Sequence, residues 1–422
     1  MTRTEPETRT DTMSAAAVDL QDERLIRAEG IGGSIAAFGR RVRSGDLGSL
    51  PVIIGLVVIW AIFEILNPDF LSADNLVNLA LQSAPVGVIS IGIVLVLLLG
   101  EIDLSVGSVS GVAAAILGVG ITNLHWPVIV AVVVAIAAGA AIGALYGLLF
   151  TRFGVPSFVI TLAGLLGFLG VQLWILGPLG SINLSFNSWI VKFANTWFLP
   201  PWAVYTLIVV AALAILFSDL SKSRRRRAAG LSTSALSVTL LKVVVLAVVL
   251  GVVGWYLSTD RGTGVMFVFF VALVVLMQFM LKRTRWGRSI FAVGGSVEAA
   301  RRSGINTTFV YMTVFMLTSM LAIVGGLLAA GRLSAASQSA GAGDVNLDAI
   351  AAAVIGGTSL FGGRGSAWSA LLGIVVIQSI ASGLTLLNLN ADVRYIITGA
   401  VLLVAVIVDS LSRRSRASHG QA

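Results

Sequence analysis

The chain has 422 residues, 57% apolar and 11% charged, with 46 glycines and a mean hydropathy of +0.97. That charged share is under half of the roughly 25% usual in soluble domains, and one water-soluble core stops growing near roughly 250–300 residues, so lipid is the solvent for most of the polypeptide. With no cysteine and only His125 and His419 as imidazoles, a disulfide framework, a thiolate nucleophile, an iron–sulfur cluster and a His-rich metal site are excluded.

Residues 1–48 are polar, mixed in charge and without an apolar run long enough for a signal peptide, which predicts a cytoplasmic N-terminal tail. A weak helical pattern over 14–38 is interrupted by Gly30, Gly32 and Gly33. From Pro51 onward, apolar blocks alternate with short polar punctuation, and about 20 apolar residues cross a bilayer as a helix. The pattern predicts an all-α polytopic bundle with about twelve spans, at 51–66, 76–99, 107–123, 128–150, 155–177, 201–217, 241–258, 264–281, 309–330, 346–362, 366–388 and 394–411. Ten or fourteen spans would keep the same parity. The membrane domain thus covers 49–411, ahead of a cytoplasmic C-terminal tail, 412–422. Between the tenth and eleventh spans, Gly362, Gly363 and Gly365 are compatible with a broken or re-entrant helix.

Of the 28 Lys and Arg, all but Lys192, Arg261, Arg332 and Arg394 fall on the side of the termini. The positive-inside rule then puts both termini in the cytoplasm. It also explains the net charge of +8 without a nucleic-acid partner, because the basic excess borders the membrane. Between Gly177 and Pro201, Phe186, Trp189, Ile190, Phe193 and Trp197 recur at helical spacing, which predicts a helix in the outer interface, either a lipid anchor or a docking surface.

No G-x-x-x-x-G-K-[ST] segment, H-E-x-x-H motif or acid–His–Ser arrangement occurs, so no catalytic residue is expected on this chain. The spans are almost free of charge, whereas an ion-coupled pump keeps costly ionisable groups at membrane depth. The energy source is therefore expected on another chain. The loop 282–308 contains Glu298-Ala299-Ala300 and, beyond Arg301, Arg302 and Ser303, Gly304. A short helix ending at a glycine makes a compact knob that could dock on a cytoplasmic motor; an ordinary basic interfacial loop has the same composition. Asn78, Gln82, Thr161, Gln172, Thr358 and Gln378 are candidates for a polar substrate path, each alternatively a helix–helix hydrogen bond. Gly100 and Gly107 allow close approach, and Asp103 and Ser105 are candidates to cap the following span or to line that path. Kinks at Pro85 and Pro156 would free carbonyls suited to a neutral polyol.

The segment 100–108, GEIDLSVGS, resembles a signature of permeases from bacterial monosaccharide ABC importers, the ribose/xylose-type group. Residues 154–162, GVPSFVITL, resemble a second signature, including Pro156; Asp348 with the run Gly356, Gly357, Thr358 and the segment through Gly363 resembles a third. Trp286, Gly287 and Arg288, with Glu298, Ala299, Ala300 and Gly304, are similar to the family's ATPase-contacting loop, although Asn346 stands where an acidic residue is frequent and no I-x-L-P tail follows Gly304. The resemblance implies a permease subunit of a binding-protein-dependent importer for a monosaccharide, with xylose-type permeases the nearest pattern and the region of about 200–262 added relative to ribose-type ones. It implies a second copy of the chain (a homodimer), a cytoplasmic tandem-cassette ABC ATPase, an extracytoplasmic sugar-binding protein and a place in the bacterial inner membrane. ATP and Mg would sit on the ATPase, leaving no cofactor here. The rival readings are an ion-coupled secondary sugar transporter and the same ABC architecture carrying a nucleoside or another small polyol.

Overall fold

A computed structural model describes residues 50–229, 236–390 and part of 392–407, and the described chain divides into two compact units. The expected helix at 14–38, the tail 412–422 and most of the expected twelfth span lie outside the described residues.

The larger unit starts with α1 (Leu50–Leu66), α2 (Ala73–Leu98), α3 (Val106–Thr122), α4 (Val128–Phe153) and α5 (Ser157–Leu176). Beyond a short 3-10 turn come β1 (Ser181–Asn183), α6 (Trp189–Asn195) and β2 (Phe198–Leu199). The smaller unit holds α7 (Pro201–Ala228) and nearly all of α8 (Leu236–Leu257). The larger unit resumes with β3 (Thr263–Gly264), α9 (Val265–Arg283), α10 (Arg285–Gly295), α11 (Val297–Arg302), α12 (Thr307–Leu333), β4 (Ala335–Ser337), α13 (Val345–Ile355) and α14 (Trp368–Leu386). Eight of these helices are long and apolar enough to cross a membrane, while α1, α3 and α13 are shorter apolar helices. Each expected span from the first to the eleventh overlaps one helix, but the tenth, expected over 346–362, is helical only over Val345–Ile355.

α2 lies at the centre. Eighteen of its side chains, from Val77 to Leu98, are buried, and α12, α14, α13 and α9 surround it. Without a hydrophobic driving force between helices in lipid, close contact depends on small residues. α4 supplies them at every fourth position: Ala131, Ala135, Gly139, Gly143 and Gly147 are all buried, and the three glycines face Ser319, Met316 and Met312 of α12. The opposite face of α4 exposes Ile129, Val130, Val133 and Val134.

β1 pairs antiparallel with β4, and β2 with β3, at the end of the unit opposite α10 and α11; α9 and α12 run between those ends. The outer helix expected over 186–197 is only the seven residues of α6. Its Ile190, Val191 and Ala194 are buried in protein and Asn195 donates to the carbonyls of Gly331 and Arg332 at 3.0 Å, while Phe186, Trp189 and Trp197 are exposed. The rest of the segment, 186–188 and 196–197, is turn and irregular backbone leading to the two ribbons that flank it.

Two turns enter the helical core from opposite ends. Ala336 of β4 lies against Gly118 of α3, and Gly341 lies against Gly107, eleven residues or about 16 Å lower on the same helix. Residues 335–344 therefore descend beside α3, and α13 begins inside the bundle. From the other end, residues 99–105 fold back in from the end of α2, and α3 starts where they meet this descending segment. The re-entrant backbone precedes α13, whereas the glycine-rich stretch 356–365 forms the reversal between α13 and α14.

Candidate functional site

α10 and α11 form an exposed helical pair. Thr284 caps α10, its hydroxyl accepting from Gly287 N at 3.0 Å, and Ser296 caps α11, accepting from Ala299 N at 3.3 Å. Gly287 and Ala300 are buried, whereas Arg288, Glu298, Ala299 and Gly304 are exposed. Gly304 has φ +80°, and Glu298 pairs with Arg301 at 3.3 Å on the exposed face. Trp286 is half-buried, and its indole N–H donates to Thr313 Oγ1 on α12 at 2.8 Å. The knob is thus clamped to α12 through Trp286 and presents one charged face outward.

Its other anchor is backbone. Gly294 of α10 abuts Leu98 O, and a Cβ there would fall 2.8 Å from Gly363 N. Gly363 N in turn donates to Leu98 O at 2.9 Å, and Gly100, with φ +81°, lies beside Phe361 and Gly362. Three segments distant in sequence share one contact in which any side chain would intrude: the end of α2, the end of α10 and the reversal after α13. Gly356 and Gly357 belong to the same reversal, Gly356 packing on Ser369 of α14.

One group of buried polar side chains lies along α3, the turn before it and α5. Asp103 is 1% exposed; its Oδ1 accepts from Ser105 N at 2.8 Å and Ser105 Oγ at 2.7 Å, and its Oδ2 has no protein partner. Ser105 stands at the N-cap of α3, but its hydroxyl donates to Asp103 and accepts nothing from the helix. Of the pair, only Asp103 ties down a backbone N–H, in a two-residue turn just ahead of α3. The Tyr146 hydroxyl of α4 is buried beside this turn, next to Asp103 and Ser105. Glu101 accepts from Ser157 Oγ at 2.6 Å, and burial pushes its carboxyl above the ordinary value, partly offset by that hydroxyl. Gly107 N donates to Asn346 Oδ1, and a Cβ on Gly107 would collide with Gly341 O.

Thr161 and Gln172 lie eleven residues apart on α5, three helical turns, so they share a face. Thr161 meets the first turn through Ile102 O at 3.4 Å; Gln172 meets the second, donating to Ser337 O, Gln338 O and Ala340 O at 3.0, 3.3 and 2.9 Å. Thr358 is buried in the reversal after α13, its hydroxyl unpartnered. Asn78 is elsewhere, accepting from Arg261 at 2.9 Å and donating to Asp74 at 3.2 Å near the start of α2. Gln82 and Gln378 are half-buried on α2 and α14. The structure therefore brings Thr161 and Gln172 to one seam and leaves the other four candidates apart from it. Pro156 begins α5 at its N-cap and kinks nothing, whereas Pro85 lies inside α2. Asp348 is half-buried in the first turn of α13. Among the described residues no cluster of His, Asp or Glu could hold a metal ion.

Over residues 75–406 the chain matches the family described as branched-chain amino acid transport system / permease component. Xylose transport system permease protein XylH of Escherichia coli K12 is 34% identical over 366 residues, 86% of this chain and 92% of the relative. XylH of Haemophilus influenzae is 33% identical over 377 residues, covering 89% and 99%, and ribose import permease protein RbsC of Bacillus subtilis 32% over 365 residues, covering 86% and 94%. The chain belongs to this permease family. It is a multi-pass membrane protein and a transport-system component. No solved structure matches it.

Proposed function

We propose that this protein is the membrane-spanning subunit of an ABC importer that moves a monosaccharide, of the pentose class, across the bacterial inner membrane. The observation that carries the reading is similarity over most of the chain to permeases named for xylose and ribose. The seam fits a neutral polyol. Asp103 is the one charged side chain among the fully buried described residues, so no buried cation is present to receive an α-carboxylate. Thr161, Gln172, Tyr146 and Asp103 supply hydroxyl, amide and carboxyl groups of the kind that exchange hydrogen bonds with sugar hydroxyls.

Without a nucleotide-binding motif, the chain draws its energy from a separate cytoplasmic ATPase, and the α10–α11 pair is its point of contact, with Arg288, Glu298 and Ala299 on the exposed face. Twelve spans with both termini cytoplasmic put that pair on the ATPase side and the β1–β4 and β2–β3 ribbons on the side of the sugar-binding protein. A second copy of the chain completes the central path. Reconstitution tests the reading. Vesicles holding the permease, its ATPase and the sugar-binding protein should accumulate labelled pentose only with ATP. Accumulation by the permease alone, driven by a proton or sodium gradient, refutes it.

A further inference from the structure

The stretch of chain that descends beside α3 has little packing of its own to hold it there. Below β4 its sequence is Gln338-Ser339-Ala340-Gly341-Ala342-Gly343, and its largest side chain, Gln338, is exposed. Burying alanine and glycine contributes little, because the gain scales with the apolar area covered. The surface beneath is equally smooth. Gly107 and Gly111 of α3 face the stretch, and a Cβ on Gly111 would collide with Ala340 O and Gln172 Oε1. The two ends are anchored: Gln338 N donates to Gly180 O at 3.0 Å beside the β1–β4 pair, and Gly107 N donates to Asn346 Oδ1 in the first turn of α13.

Between those anchors the tie comes from α5. Gln172 is fully buried, and its Nε2 donates to Ser337 O, Gln338 O and Ala340 O at 3.0, 3.3 and 2.9 Å. A side-chain amide has two N–H donors, so three carbonyls converge on two hydrogens. Its Oε1 has no hydrogen-bond partner among the described residues. That orphaned acceptor costs free energy for as long as the amide stays buried, and water or a hydroxyl would relieve it once the stretch moved. The amide thus both fastens the segment and opposes a permanent closure. We propose that Gln172 is a positioning residue, a latch that keeps residues 338–343 down on α3. When it releases, the face of α3 from Gly111 to Gly107 is uncovered as far as the turn at Asp103, and the seam opens from the end that carries the β-ribbons. This role goes beyond the proposed import and does not depend on the cargo.

Because the chain has no cysteine, a single introduced thiol reports on a single place. Ser110 of α3 is 3% exposed and lies under Gly341, whereas Ser319 of α12 is 1% exposed and lies against Gly139 of α4. Ser110→Cys and Ser319→Cys, each in the purified full-length protein, are treated with a charged, water-soluble methanethiosulfonate. No sugar, ATP or partner protein is present, so the result stands or falls apart from the import reading. The thiol at position 110 should react faster than the one at 319, since local lifting of the stretch uncovers only the first. Gln172→Met, which keeps the length of the side chain and removes its donors, should raise the rate at 110 about tenfold and leave the rate at 319 unchanged. No change at 110 overturns the latch. An equal rise at both positions overturns it too, since Gln172 would then support the whole bundle. Should the Gln172 variant fail to fold, the chain with Gln172 intact still decides: a thiol at 110 no more reactive than one at 319 means that the stretch does not lift.

Discussion

Asp103 shows how narrowly one side chain can be specified. Its Oδ1 receives two donors from Ser105 inside a buried turn. Asp103→Asn keeps that acceptor and should retain most ATP-driven uptake. Asp103→Leu leaves both donors unpaired, at about 1–3 kcal/mol each, and should lose uptake and lower the melting temperature of the purified chain. Equal losses in the two variants would show that the charge itself is required. Glu101 offers a pH test. Because burial raises its carboxyl in the folded state, the folded chain holds that proton more tightly than the unfolded chain, and stability falls as pH rises from below the ordinary glutamate value through the raised one. Glu101→Gln should flatten that fall while keeping a group to accept from Ser157. A wild type and variant with parallel melting curves across pH would contradict it. The sequence made Asp103 and Ser105 conspicuous because they sit together in one signature. It could not reveal Ser157, Asn346 or Tyr146, since Ser157 meets Glu101 across 56 positions and Asn346 meets Gly107 across 239. No local periodicity records such a pairing.

At the level of elements, hydropathy placed the helices and said little about where each one stops inside the bilayer. The eleventh apolar block became α14, but the tenth became an eleven-residue helix, because residues 356–362 belong to the glycine-rich reversal that precedes α14. α6 is short for a different reason: residues 186–188 and 196–197, on either side of it, are turn and irregular backbone that lead to β1 and β2. The small-residue stripe of α4 was present in the sequence at a plain four-residue interval and marks its face toward α12. Gly143→Leu should push α4 from Met316, where a Cβ would already fall 2.7 Å from the amide nitrogen, and should unfold the purified protein at lower temperature than the corresponding change at Gly170, which has open space. On the exposed pair, Gly304→Val strains a backbone at φ +80° by about 1–2 kcal/mol, and Glu298→Arg reverses a charge that faces solvent. Both should abolish sugar-stimulated ATP hydrolysis by the assembled transporter while leaving insertion normal. Full stimulation in the Glu298 variant would remove α11 from the coupling surface.

For the whole molecule, the low charge of the spans and the absence of any nucleotide motif indicated a passive conduit before any fold was known, because solvation energetics depend on composition alone. The way the conduit is tied to its exposed knob was not legible, since it rests on glycine backbones from three distant stretches. That junction has a mechanical consequence. Side chains can rotate and absorb a displacement of an ångström or so before passing it on, but Leu98, Gly294 and Gly363 touch main chain to main chain. A joint of that kind has no slack, so a pull on α10 arrives at α2 undamped and at once. An alanine at Gly294 would act like grit in a bearing: even if the chain still assembled, each ATP would be burned with less sugar moved, a falling stoichiometry and not merely a slower rate.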